Sequence, residues 1–513
     1  MEKAPSSSFR RSLLDPGQFT LTFELVPGRS GRSKEYAQTL AFAREAAADG
    51  RLQAVSITEN AGGHPALSPE VLGLECRALG LDVIIHLSCK DKNRNQLESL
   101  LYAWDRQELN NLLVITGDYP QRGYAGAPKP VFDLGSVQVL DLLSRMNRGV
   151  REGEPGRPGV ELPPTSFLKG VAVSPFKTLE SEQLMQYAKL HRKRAAGADF
   201  VITQLGFDAR KFEELLLIMR EQGLSMPVLG NVFIPNQALI EHLRAGRIPG
   251  CILPDSLYER MRREAAEPDR GKGARLERAA MLLAVLQGLG YAGAHLGGPG
   301  LTFADVDRVL TRMKVLASDW RALVPELSFW PKNAFFCYER DEATGLNRPE
   351  RTPLAAPRPA PLYALARKAH DLAFSEEGPL YEPLRRLCAA VEDGRLEAAF
   401  ASGEHLLKGL LFHCRNCGDC TLAELAFLCP QAGCAKFLLN GPCGGSRDGW
   451  CEVYPGQRRC LYVRMYERLR GRSPDELPAG FVPPRDWSLD QTSSWLNFFL
   501  DRDHAAKKKD CPA

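Results

Sequence analysis

The chain has 513 residues, 44% of them hydrophobic and 25% charged, with a formal net charge of +4. That is the profile of a globular protein too long for a single core, so one large and one smaller domain are expected. No Lys/Arg stripe with interleaved aromatics occurs outside the short "KKK" at 507–509, which argues against nucleic acid as a partner. No apolar run reaches eighteen residues, and "MEKAPSSSFRRSLL" at the start holds no apolar core, so a cytoplasmic protein without membrane insertion is expected.

After an N-terminal extension (1–17), short β-branched runs alternate with helix-period segments. The runs are "FTLTFELV", "AVSIT", "DVIIHLS", "LLVIT", "GVAVS", "DFVITQ", "PVLGNV" and "AGAHL", and the segments between them include 34–49, 94–107, 178–196 and 275–290. Continuous apolar strands joined by helices are the pattern of a parallel sheet buried on both faces. Eight such units predict an α/β fold, a (β/α)₈ TIM barrel over 18–322, ahead of a doubly wound sheet.

Reacting groups in such barrels sit where strands end. Those ends carry Glu24, Thr58, His86, Asp118, Gln204, Asn231 and His295. A carboxylic acid on an apolar strand is neutralised, paired or used, so Glu24 is either a general acid with a raised pKa or half of an ion pair at the rim. Asp118, in "TGDYP", follows a glycine that allows close backbone approach, and it serves either a ligand or an Asx-type turn. Gln204 offers donors and an acceptor to an amide-rich heterocycle or to a neighbouring loop. His86 and His295 read more simply as hydrogen-bonded structural residues. The absence of G-x-G-x-x-G after the first strand, of G-x-x-x-x-G-K-[ST] and of G-x-S-x-G disfavours a Rossmann site, a P-loop and an α/β-hydrolase. "GGPG" at 297–300 is a weak phosphate-loop signal.

A linker is expected at 323–362, where "RPERTPLAAPRPAP" holds five prolines. A mostly helical, cysteine-rich domain follows over 363–513, with a terminal amphipathic helix expected in its tail. Eight of the fourteen cysteines (Cys414, Cys417, Cys420, Cys429, Cys434, Cys443, Cys451 and Cys460) crowd into this region. C-x₂-C-x₂-C with further cysteines downstream is iron–sulfur spacing. Eight thiols suit two [4Fe-4S] cubanes, or one cubane with a Cys₄ zinc, and zinc alone is the simpler alternative.

In order, "FELVP", "SIT", "HLSC", "TGDYP" and "AGADFVITQLGFD" resemble the methylenetetrahydrofolate reductase family, over roughly 18–300. "CRNCGDC…CPQAGCAK…NGPCGG…DGWCEV…C" resembles the family's C-terminal domain, which occurs as a partner subunit in anaerobic one-carbon pathways and is fused here. The resemblance implies a flavin-dependent, reversible reduction of 5,10-methylenetetrahydrofolate to 5-methyltetrahydrofolate, in one-carbon metabolism and methionine supply. By position it implies Glu24 as general acid, Asp118 beside flavin and pterin, and Gln204 on the pterin. Thr58, His86 and Lys193 are implied as flavin contacts. Thr116 stands where the family carries an arginine and Ser174 where it carries a tyrosine, both FAD contacts, so FAD and FMN both remain open. Electrons would come from NAD(P)H or from a carrier protein through the metal centres, and homo-oligomerisation stays open. The alternatives are a non-catalytic electron-transfer or scaffold subunit and a pterin methyltransferase-type barrel.

Overall fold

The computed structural model describes residues 8–152, 159–392, 394–470 and 480–509. Eight parallel strands form a closed barrel: β1 (Thr20–Leu25), β2 (Ala54–Ile57), β3 (Asp82–Ser88), β4 (Asn111–Ile115), β5 (Leu168–Val173), β6 (Phe200–Thr203), β7 (Val228–Phe233) and β8 (Gly293–Gly297). Each pairs with its chain neighbours, and β8 closes on β1. All eight expected runs are strands, because continuous Val, Ile and Leu suit strands covered on the outside by helices and filled on the inside by side chains. A short antiparallel hairpin, Val150–Glu152 with Val160–Leu162, interrupts the alternation before β5.

The interior divides into two levels. Ala54, Ile84, Leu113, Leu168, Phe200, Ile202 and Leu229 form an apolar lower level that also contains Phe9 and Leu13. Those two come from helix Ser8–Leu14, so this part of the expected extension is a plug in the barrel's N-terminal mouth. Asp82 fixes the plug by accepting hydrogen bonds from the Phe9 N–H (2.6 Å) and the Ser8 hydroxyl (2.9 Å). Residues 1–7 lie outside the described range.

Much of the expected linker also packs on the barrel. Val324, Leu327, Phe329, Trp330, Cys337, Tyr338 and Leu346 join its main core, and Tyr338–Arg340 pairs with Asn347–Arg351 as a hairpin. Two buried carboxylates hold this segment. Asp208 accepts from the backbone N–H groups of Phe329 and Trp330, each at 2.8 Å, and Glu214 from that of Cys337 at 2.7 Å. Residues 352–360, where the prolines concentrate, carry no regular element.

Helices Pro361–Ala373, Tyr381–Val391 and Glu397–Phe412 lead into the cysteine segment, and helix Leu461–Leu469 follows it. That last helix lies on barrel helix Glu180–Ala195, whose Met185 joins the C-terminal core beside Tyr462 and Met465. The tail is not the single amphipathic helix expected. It forms a turn at Trp487–Leu489 and short helices Ser494–Phe499 and His504–Lys509, which wrap the first cysteine loop. The Gln491 N–H donates to the Asn416 carbonyl (2.8 Å), the Asn497 amide to the Gly418 carbonyl (2.9 Å), and His504 pairs with Asp419 (2.5 Å). No helix among the described residues is long and apolar enough to cross a membrane.

Asp208→Ala would strip three helix-cap and loop N–H groups of their acceptor. A loss of at least about 1–3 kcal/mol, the cost of one unsatisfied buried group, is expected in chemical denaturation. His504→Ala would leave the Asp419 carboxylate buried without its cation, a change of about 3–5 kcal/mol, and should expose the tail to limited proteolysis.

Candidate active site at the barrel mouth

Above the apolar level the inward positions turn polar. Because the side-chain period of a strand is two, Glu24 shares a face with Thr22, His86 with Ile84, Gln204 with Ile202, and Asn231 with Leu229. Register places Thr22 beside His295, and the Thr22 hydroxyl meets His295 Nδ1 at 2.8 Å. That leaves His295 Nε2 buried, without a hydrogen-bond partner, 3.8 Å from the Glu24 carboxylate. At that distance the attraction is coulombic rather than a hydrogen bond. His86, whose Nε2 meets the Ser56 hydroxyl at 2.5 Å, completes a cluster in which Glu24, His86 and His295 lie within 4.8 Å of one another.

This cluster corrects the expectation of a raised pKa at Glu24. Burial pushes the carboxyl up, but His295, together with positive charge on His86 and His295, outweighs it and holds Glu24 below the ordinary carboxylate range. Burial pushes His86 down to about 4, against the pull of Glu24, so at neutral pH its imidazole is uncharged and His295 is the nearer support. Sequence reasoning ranked His295 as merely structural, because nothing local signals a partner 271 positions away (295 less 24).

The other expected residues ring the same mouth. Asp118 follows β4 and accepts from the Gly62 N–H at 2.9 Å, joining the loops after β2 and β4. Gly117 has φ +85°, and a Cβ there would lie 2.1 Å from the Ser88 hydroxyl, so "TGDYP" needs its glycine. Gln204 follows β6, half-buried, its carbonyl oxygen accepting from the Leu205 N–H (2.9 Å). Thr58 is buried after β2 with its hydroxyl unpartnered, as is the amide oxygen of Asn231. Lys193 projects from helix Glu180–Ala195 to the Ala172 carbonyl (2.5 Å), and burial, followed by the charge of Lys189, pushes its pKa well down.

Three buried lysines absent from the sequence reading join the two domains. Lys189 donates to the Pro442 carbonyl (2.8 Å) and reaches the hydroxyl of Thr116 (3.5 Å), the position where the family carries an arginine. Lys177 donates to the carbonyls of Gly444 and Ser446, each at 2.6 Å, and Lys436 pairs with Glu452 and donates to the Gly117 carbonyl at 2.7 Å. The backbone of Gly441, at φ +115°, passes so close that a Cβ there would sit 2.8 Å from Lys189 Cγ. Only a glycine fits.

The eight cysteines fall into two sets of four. Cys414, Cys417, Cys420 and Cys429 line one cleft with Lys408 and Arg485. Cys434, Cys443, Cys451 and Cys460 are electrostatic neighbours around a second point. The Asn416 N–H donates to Cys414 Sγ (3.3 Å), the Gly445 N–H to Cys443 Sγ (3.4 Å), and the Lys408 ammonium to Cys420 Sγ (3.3 Å). Among the described residues no three cysteine sulfurs lie within 4.8 Å of one another.

The sequence matches the family profile described as methylenetetrahydrofolate reductase over residues 10–297, and that described as methylene-tetrahydrofolate reductase C terminal over 394–488. "Methylenetetrahydrofolate reductase 2" of Saccharomyces cerevisiae is 25% identical over 212 residues, 41% of this chain and 33% of that protein. "Probable methylenetetrahydrofolate reductase (NADPH)" of Caenorhabditis elegans is 29% identical over 157 residues, 30% of this chain and 20% of that protein. The chain therefore spans about a third or less of the length of these relatives. A solved structure of an uncharacterized Clostridium thermocellum protein, described as binding two copies of 5-methyl-5,6,7,8-tetrahydrofolic acid, aligns at TM-score 0.41 and 11% identity, over 60% of this chain and 99% of that one. Since the first profile covers more than half of the 513 residues, the chain belongs to the methylenetetrahydrofolate reductase family.

Proposed function

We propose that this protein reduces 5,10-methylenetetrahydrofolate to 5-methyltetrahydrofolate, with electrons received through its C-terminal cysteine sites. The observation that carries the reading is the Glu24 carboxylate set beside the unpartnered His295 Nε2 at the polar end of a sealed barrel. Reduction of the bridging carbon needs a proton on the departing amine nitrogen, and Glu24 is the acid available to give it. A pterin laid over the mouth would remove the remaining water from Glu24 and strengthen the burial that favours its neutral form. His295 is the neighbour that can restore the proton. Asp118 and Gln204 offer an acceptor and an amide for the hydrogen-bonding edge of the pterin.

The residues present fit a flavin: the Thr58 hydroxyl and the Asn231 amide oxygen are buried without partners and suit a polar ring system. Lys193 and His86 line the same end of the barrel. When bound, the flavin would supply the hydride. Either FAD or the shorter FMN is compatible with Thr116 and Ser174. Two sets of four thiolates suit iron–sulfur cubanes, and the N–H groups aimed at sulfur suit cluster tuning.

In Glu24→Gln the reduced enzyme should transfer to the methylene substrate about 10²–10⁴-fold more slowly, with flavin content and reducibility unchanged. A wild-type rate in that variant would remove Glu24 from its role. For the wild type, Glu24 held below the ordinary range means that the free enzyme must gain a proton to act. The single-turnover kcat/KM should therefore fall as pH rises from 6 to 8, about tenfold per unit if no other group intervenes. The glutamine variant should lose this slope.

A further inference from the structure

The two cysteine sets are held by different parts of the molecule. The set Cys434, Cys443, Cys451 and Cys460 is fastened to the barrel in both directions. Lys189 and Lys177 reach up from the barrel to the carbonyls on either side of Cys443, those of Pro442 and Gly444, at 2.8 and 2.6 Å. Lys436, two residues after Cys434, reaches down to the carbonyl of Gly117, the residue before Asp118, at 2.7 Å. In addition, Glu182 on the barrel accepts from the Gly449 N–H at 3.0 Å. All three lysines are buried, at 0%, 5% and 3% exposure for Lys177, Lys189 and Lys436. Burying three ammonium groups is costly, and here each donates to a carbonyl of a loop flanking either a cysteine or Asp118, with Glu452 as the ion-pair partner of Lys436.

The set Cys414, Cys417, Cys420 and Cys429 is held mainly from within the C-terminal segment. Lys408 bridges Glu404, Ser494 and Cys420 Sγ, and tail residues Gln491 and Asn497 bind the loop carbonyls. Its cleft reaches the surface at the exposed His405.

We propose that the Cys414–Cys429 set is the receiving terminal for a one-electron carrier protein, and that the Cys434–Cys460 set is the relay to the barrel, with Lys436, Lys189 and Lys177 as the residues that position it. The inference rests on the reductase reading above. Two reduced carriers each give up one electron at the outer set and leave oxidised. The two electrons pass one at a time through the inner set, and the flavin takes up both, with its protons drawn from water. One methylene group is then reduced to methyl per two carriers consumed. The buried lysines fix the inner set against the loop that carries Asp118.

The test uses the full chain, purified anaerobically, with a reduced small ferredoxin as the probe, and follows cluster signals by EPR and the flavin by absorbance. In Cys443→Ser the ferredoxin should still reduce the outer centre while the flavin stays oxidised. In Cys417→Ser it should reduce neither the inner centre nor the flavin. An inner centre that is reduced normally in Cys417→Ser, or an outer centre that stays oxidised in Cys443→Ser, overturns the order. The double variant Lys436→Met, Glu452→Gln retains all eight thiols, leaves no buried carboxylate without its cation and guards against misfolding of the cysteine variants. It should keep both centres reducible at the wild-type rate and slow flavin reduction, and an unchanged flavin rate overturns the relay. Wild-type iron and flavin content separates the two levels of argument: zinc in both sites, or no flavin, removes the reductase reading itself, whereas normal content with a different order removes only this inference.

Discussion

Closure of the parallel sheet is the constraint from which the rest follows. An open sheet would leave β1 and β8 as separate edges, and Glu24 would lose His295 as a neighbour. Pairing those edges sets Thr22 against His295, fixes the imidazole through its Nδ1 and turns the other nitrogen toward the carboxylate. One ring of backbone hydrogen bonds thus decides both the shape of the cavity and the ionisation of its principal acid.

The same end of the barrel receives the second domain. Its cysteine loops dock through carbonyls taken up by buried ammonium groups, contacts that are specific in direction and short in reach. An apolar interface alone would tolerate small slides. A lysine that must meet one carbonyl at 2.6–2.8 Å does not, so the cysteine loops keep a fixed position over the barrel mouth.

What could be read in the sequence follows from how local each signal is. The eight strands were legible because buried parallel strands announce themselves as runs of β-branched residues, and Glu24, Asp118 and Gln204 because they interrupt or end those runs. The Glu24–His295 pair was not, since it is created by closure. Residues 329–346 read as a linker because side-chain carboxylates, Asp208 and Glu214, hold their backbone, and no periodicity records that. The buried lysines carry no local signal, since the carbonyls they meet lie 253–319 positions away. Spacing singled out the eight thiols but not their grouping: Cys429 and Cys434 are five positions apart and belong to different sets, divided by the turn Pro430–Gly433.

The plug at Ser8–Leu14 also orders the assembly of the chain. Phe9 packs edge-on against Phe200 at 5.6 Å and shares its pocket with Leu229, so this helix has no seat until β6 and β7 exist. Its apolar face must wait exposed through the synthesis of some two hundred residues (Phe9 to Leu229) before the barrel can take it in. Seating of this helix is therefore a late step of folding, and until then its apolar face is open to wrong partners.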